Sequence, residues 1–189
     1  MIRFCIITLI FSFLARANAD GGHLLGGGGA LAPMNAVIFC IENPSDCEIR
    51  PGNDKQASSR SETAIRNELV SVNDKVNRAI VSDIDKRGDP GIDKWLISPP
   101  TGNCADFAVT KRHELLALGW PSSSLRLATV LTPVGAGHVV LVVRMREREL
   151  VLDSINPKIV SVSACGYTWV SIQSSENPKF WVMAGARRG

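Results

Sequence analysis

The chain has 189 residues, 45% of them hydrophobic, enough for one domain with a real core. Lys and Arg number 21 against 18 Asp and Glu, a formal net charge of +3. So small a surplus excludes charge as an argument for a nucleic-acid partner, and part of it sits in a leader. Met1-Ile2-Arg3 is a short basic start, Phe4 to Leu14 is an apolar run, and Ala17-Asn18-Ala19 has the small-x-small form of a cleavage site. Residues 1–19 therefore read as a secretory signal peptide, because the apolar run is short of the roughly 20 residues a spanning helix needs. Its removal takes Arg3 and Arg16, so Lys+Arg falls from 21 to 19 against 18 acids and the mature charge is about +1. The expected product is periplasmic or secreted.

Residues 20–35 carry the run "GGHLLGGGGALAP" and no period; a flexible Gly-rich segment is expected there, with the single domain over 36–189. Cys5 leaves with the leader, so four cysteines meet an oxidising compartment. Cys40 and Cys47 bracket a Pro-Ser-Asp turn and read as a disulfide; no histidine stands beside them at zinc-ligand spacing. Cys104 and Cys165 remain. If they paired, Cys104 could not be a nucleophile; the reading adopted leaves both free, with Cys165 a small buried hydrophobe.

Ile65, Leu69, Val72, Val76, Ile80 and Ile84 recur at helical spacing, and Ser59 with Glu62 offers a capping box ahead of them. "DKWLISPP" reads as an extended piece, since proline disfavours helix before it. Helix resumes at Cys104, capped by Thr101 or Asn103, and stops near Gly119-Trp120-Pro121. Five strand-like stretches follow: 125–132, 138–145, 149–155, 167–173 and 180–184. The unbroken apolar run Val139–Val143 marks a strand buried on both faces. Helices first and an antiparallel sheet after them predict an α+β fold.

Unpaired N–H groups and the macrodipole make a helix start a favourable place for a thiolate, and an imidazole held by a third group completes the activation. Cys104 has the first property. His113 lies nine residues along the same helix, roughly 13 Å away, and is out of reach. His138 opens the buried strand behind Gly135-Ala136-Gly137, and Asp153 follows on the next strand. A hairpin centred between Met145 and Arg146 places His138 directly opposite Asp153, and a centre one residue later keeps both on one face. An aspartate in so apolar a strand needs a partner, and the imidazole N–H supplies one. The alternative for Asp153 is a cap on the turn before Asn156-Pro157.

Five stretches, "VSVNDKVNRAI", "DKWLISP", "GNCADFAVTKRHELLALGWP", "GHVVLVV" and "LVLDSIN", resemble the bacterial transglutaminase-like cysteine peptidases, the periplasmic group that includes the LapG-type adhesin-cleaving proteases. The resemblance spans about residues 65–156. It implies a papain-like, transglutaminase-like core with the nucleophile helix packed on the sheet. It also implies a catalytic set of Cys104 as nucleophile, His138 as general base and Asp153 as orienting acid. A protein substrate such as a surface adhesin, an inner-membrane regulatory protein as partner and a monomeric enzyme go with it. The family commonly has acids on both sides of its nucleophile, which in LapG-type members help bind calcium. Here those positions are Asn103 and Ala105, so a degenerate calcium site would have only Asn103 and Asp106 to offer, and no cofactor is expected. Two other readings accompany the peptidase: acyl transfer to an amine by the same triad, and a catalytically silent binding module that kept it.

Overall fold

Strand propensity and period-2 burial build most of this molecule. The computed structural model describes residues 24–51, 61–83 and 94–186; the leader, His23, Ser59 and Ile84 fall outside these. In chain order the elements are β1 (Leu24–Ala30), α1 (Met34–Glu42), a 3-10 turn (Pro44–Cys47), α2 (Glu62–Ala79), β2 (Val81–Ser82), β3 (Thr101–Gly102), α3 (Cys104–Ala117) and then β4 (Leu125–Leu131), β5 (Gly137–Arg144), β6 (Glu149–Leu152), β7 (Val160–Ser161), β8 (Thr168–Gln173) and β9 (Trp181–Ala186). The fold is α+β. Seven strands form one antiparallel sheet in the order β1-β9-β8-β4-β5-β6-β7, and β2 and β3 form a short parallel pair.

Alternation along the strands divides the core in two. Leu125, Leu127, Leu141, Val143, Leu150 and Leu152 pack against the helices, where α2 contributes Leu69, Val72 and Val76 and α3 contributes Phe107, Ala108 and Leu115. Ala128, Val130, Val140, Val142, Val151 and Ile172 fill the other face. Residues Val140 to Val143 are fully buried, as an apolar run without alternation requires. The sheet curls: the Leu24 N–H donates to Glu149 Oε2 at 2.6 Å, so the start of the edge strand β1 reaches β6 near the opposite edge.

Several expectations are corrected. The Gly-rich stretch within 20–35 is not flexible from residue 24: Leu24–Ala30 pairs with Trp181–Ala186 as β1. Glycine gives a strand no side-chain signal, but its backbone groups pair normally. The cap of α2 is Ser61, whose Oγ accepts from the Ala64 N–H at 3.1 Å, not Ser59. That helix ends at Ala79, one residue before Ile80. Over residues 94–100 the extended piece before α3 is not itself a strand; the Pro100 carbonyl accepts from the Val81 N–H of β2 at 3.0 Å, while the Leu96 N–H donates to Asp106 Oδ1 and the Ser98 N–H to Thr110 Oγ1, at 2.7 and 2.8 Å, fixing the piece along α3.

Cys40 and Cys47 are joined in a disulfide. The loop it closes docks on α3: the Arg112 guanidinium donates to the Asp46 carbonyl, and His113 Nδ1 meets Asp46 Oδ1 at 3.0 Å. His113 thus has a structural partner far from Cys104. Cys104 and Cys165 are free thiols, and Cys165 is half-buried rather than buried, with its Sγ donating to the Val162 carbonyl at 3.2 Å.

Candidate active site

Cys104 is the first residue of α3. Asn103 caps the helix: its Oδ1 accepts from the Ala105 N–H at 2.9 Å, and Asp106 Oδ2 accepts from the Asn103 N–H at 2.8 Å, which completes a capping box. Gly102 is required by this packing, because a Cβ there would lie 2.6 Å from Asp106 Oδ2. The thiol is therefore delivered by a rigid helix start.

His138 is the second residue of β5, and Asp153 is the first residue past β6. The β5–β6 hairpin is centred one residue later than the direct-opposition register. Arg144 pairs with Glu149 and Leu141 with Leu152, so continuing the ladder puts Val140, not His138, across from Asp153. The two stay on one face and meet diagonally, His138 Nε2 to Asp153 Oδ1 at 2.7 Å. Both side chains are 3% exposed. Cys104 also interacts with the His138 imidazole and, like Asp153, raises its pKa.

Burial opposes a charge on His138, yet the hydrogen bonds to Asp153 and Cys104 outweigh it and hold the imidazole pKa up at about 9. Burial likewise pushes the Asp153 carboxyl up, but hydrogen bonds from His138, Tyr167 and the Ile155 N–H bring it down to about 2. The pair is thus an imidazolium–carboxylate pair across the neutral range.

Tyr167 is the residue that sequence reasoning missed. Its hydroxyl donates to Asp153 Oδ2, and its ring stands edge-on to His138 with centroids 5.7 Å apart. The only tyrosine in the chain was a signal, but its strand gave no reason to bring it to this hairpin. Burial and the neighbouring carboxylate both push the phenol upward, so it stays a donor. Tyr167→Phe is expected to cost about 1 to 2 kcal/mol, read by denaturant unfolding, because it removes a hydrogen bond to a charged acceptor.

The model of the bacterial transglutaminase-like cysteine proteinase family matches residues 27–188. The chain belongs to this family. Among solved structures, calcium-bound Legionella pneumophila LapG is 26% identical with a TM-score of 0.53, over 64% of this chain and 71% of that one. Another structure of Legionella pneumophila LapG gives 26% and 0.51, over 66% and 71%. The EGTA-treated form gives 21% and 0.52, over 75% and 93%, a likeness of fold. No curated protein matches.

The calcium-bound relative makes calcium a question for this member of the cysteine proteinases. Asp106 is 4% exposed, with one carboxylate oxygen on the Leu96 N–H and the other on the Asn103 N–H. Asn103 Oδ1 serves the helix cap, and Ala105 has no side-chain oxygen. A calcium site wants six or more oxygens, preferably several carboxylates. Asn103 and Asp106 do not fit one, and no group of three or more His, Cys, Asp or Glu among the described residues is arranged to hold a metal.

Proposed function

We propose that this cysteine proteinase family member is an active, exported endopeptidase with Cys104 as nucleophile, His138 as general acid and base, and Asp153 as the group that orients the imidazole. The observation that carries the reading is the buried 2.7 Å contact between His138 and Asp153, with the imidazole also interacting with Cys104 at a helix start. The Cys104 sulfur attacks a peptide carbonyl carbon; His138 gives its proton to the departing amine, leaving a thioester. Water then attacks that thioester with His138 taking the proton, and the acid product and free thiol are released. The Ala105 and Asp106 N–H groups serve the Asn103 cap, which leaves the Cys104 N–H as the donor for the oxyanion at the helix start.

The substrate is an envelope or surface protein, an adhesin by the family resemblance, and the site of action is the periplasm or the exterior. Among the described residues no helix is long and apolar enough to cross a membrane. The test is alkylation of Cys104 by iodoacetamide at neutral pH in the wild-type chain and in His138→Ala, followed by comparison of envelope proteins in cells with Cys104 and with Cys104→Ala. Wild-type labelling well above the rate of a free cysteine, lost in His138→Ala, is expected. Labelling at the free-cysteine rate in both would leave the silent binding module as the reading.

A further inference from the structure

The loop that carries Asp153 is held by its backbone. The Asp153 carbonyl accepts two side-chain donors, Asn77 Nδ2 from α2 at 2.9 Å and Lys111 Nζ from α3 at 2.8 Å. Four residues on, Asn73 Nδ2 from α2 takes the Pro157 carbonyl at 3.0 Å. Lys111 is fully buried and lies seven residues after Cys104, two turns further along nearly the same helix face. The α3 helix thus presents the thiol to His138 with its first residue and grips the main chain of Asp153 with its eighth.

Neither asparagine is explained by packing. Asn73 Oδ1 and Asn77 Oδ1 are buried without a hydrogen-bond partner, a desolvation cost that leucine of similar shape would avoid. Lys111 is as costly: burial lowers its pKa to about 7, against the pull of Asp153 and Asp74, and its Nζ lies 5.9 Å from the Phe107 ring centroid. Three polar groups buried at a cost, all pointing to one loop, mark a constraint that stability alone does not require.

We infer that Asn77 and Lys111 are positioning residues that lock the Asp153 main chain to both helices, so that its carboxylate meets His138 in one orientation. The inference rests on the proposed triad for its catalytic meaning. The groups facing His138 are Asp153, Cys104 and the edge of Tyr167; those facing Lys111 are Asp153, Asp74 and the Phe107 ring.

The test is the titration of His138 followed by NMR of the isotope-labelled exported chain, which contains two other histidines, His23 and His113. In Asn77→Leu, which keeps the branched shape, heavy-atom count and charge, the His138 pKa is expected to fall by about one unit while the thermal midpoint holds, since a freed loop weakens the 2.7 Å pair. Asn73→Leu, the same change aimed at Pro157, is expected to leave His138 in place. Lys111→Met is expected to lower it too, although loss of a nearby cation alone would raise it. If the leucine variant of Asn77 fails to fold, Asn77→Ser poses the same question. An unmoved His138 in the Asn77 variant, an equal shift in the Asn73 variant, or a rise in Lys111→Met would overturn the inference. Free-cysteine labelling of the wild-type thiol would instead end the peptidase reading and leave the titration result standing.

Discussion

Asp153→Asn is expected to lower kcat for peptide hydrolysis by ~10² to 10⁴-fold, with KM little changed. The substitution keeps the shape and removes the charge. Asp153 makes five contacts that matter: His138 and the Ile155 N–H on one carboxylate oxygen, the Tyr167 hydroxyl on the other, and the two tethers on its carbonyl. The tethers survive, so the loop stays. The imidazolium loses its counter-charge, and burial then acts on it unopposed except by Cys104. The alkaline limb of the pH–rate profile should move from about 9 toward or below the ordinary imidazole value. Stability follows the same sign. A histidine whose folded pKa is raised contributes stability that is present in full below its unfolded pKa and is lost as pH rises through about 9. In the Asn variant that alkaline loss should largely vanish. A profile whose alkaline limb stays near 9 in Asp153→Asn would remove Asp153 from the proposed triad.

How far the site could be read ahead of the structure depended on the range of the physics. The start of α3 is local chemistry: Asn103, Cys104 and Asp106 within four positions specify a capped helix start, and Gly119 at φ 85° supplies the expected left-handed stop. The His138–Asp153 contact needed only a hairpin and the period of a strand. It tolerated a register error because a shift of two residues leaves the face unchanged. What stayed hidden is long-range. Tyr167 comes from just before β8, two strands from β5 and three from β6 in the sheet, and Asn77 and Lys111 reach the Asp153 carbonyl across 76 and 42 residues of sequence. The paired Val-Asn steps of α2 were visible, but a buried asparagine on an apolar stripe has no local explanation. The strand at Leu24–Ala30 was hidden for the opposite reason: four glycines carry no pattern, and only the exposed edge of β9 gives them a partner.

Asp106→Ala is expected to destabilise the folded chain by about 2 to 4 kcal/mol and to do so equally in calcium and in EGTA. The carboxylate is a brace. It holds the Asn103 N–H, closing the capping box one residue before Cys104, and the Leu96 N–H, which pins the segment carrying the buried Trp95. Alanine leaves both part-buried N–H groups without that acceptor, and frees the helix start from the chain before it. A metal ligand would behave differently. Its loss would be felt chiefly when calcium is present, because an ion that binds only the folded state adds stability by mass action. The wild-type thermal midpoint should therefore be the same with calcium and after stripping with EGTA, and Cys104 alkylation should survive the chelator. Asp106→Asn separates the two roles further, since it keeps one acceptor oxygen for a backbone N–H but removes the charge that calcium needs. A wild-type midpoint that rises with calcium, and ceases to rise in Asp106→Asn, would convert Asp106 from brace to ligand.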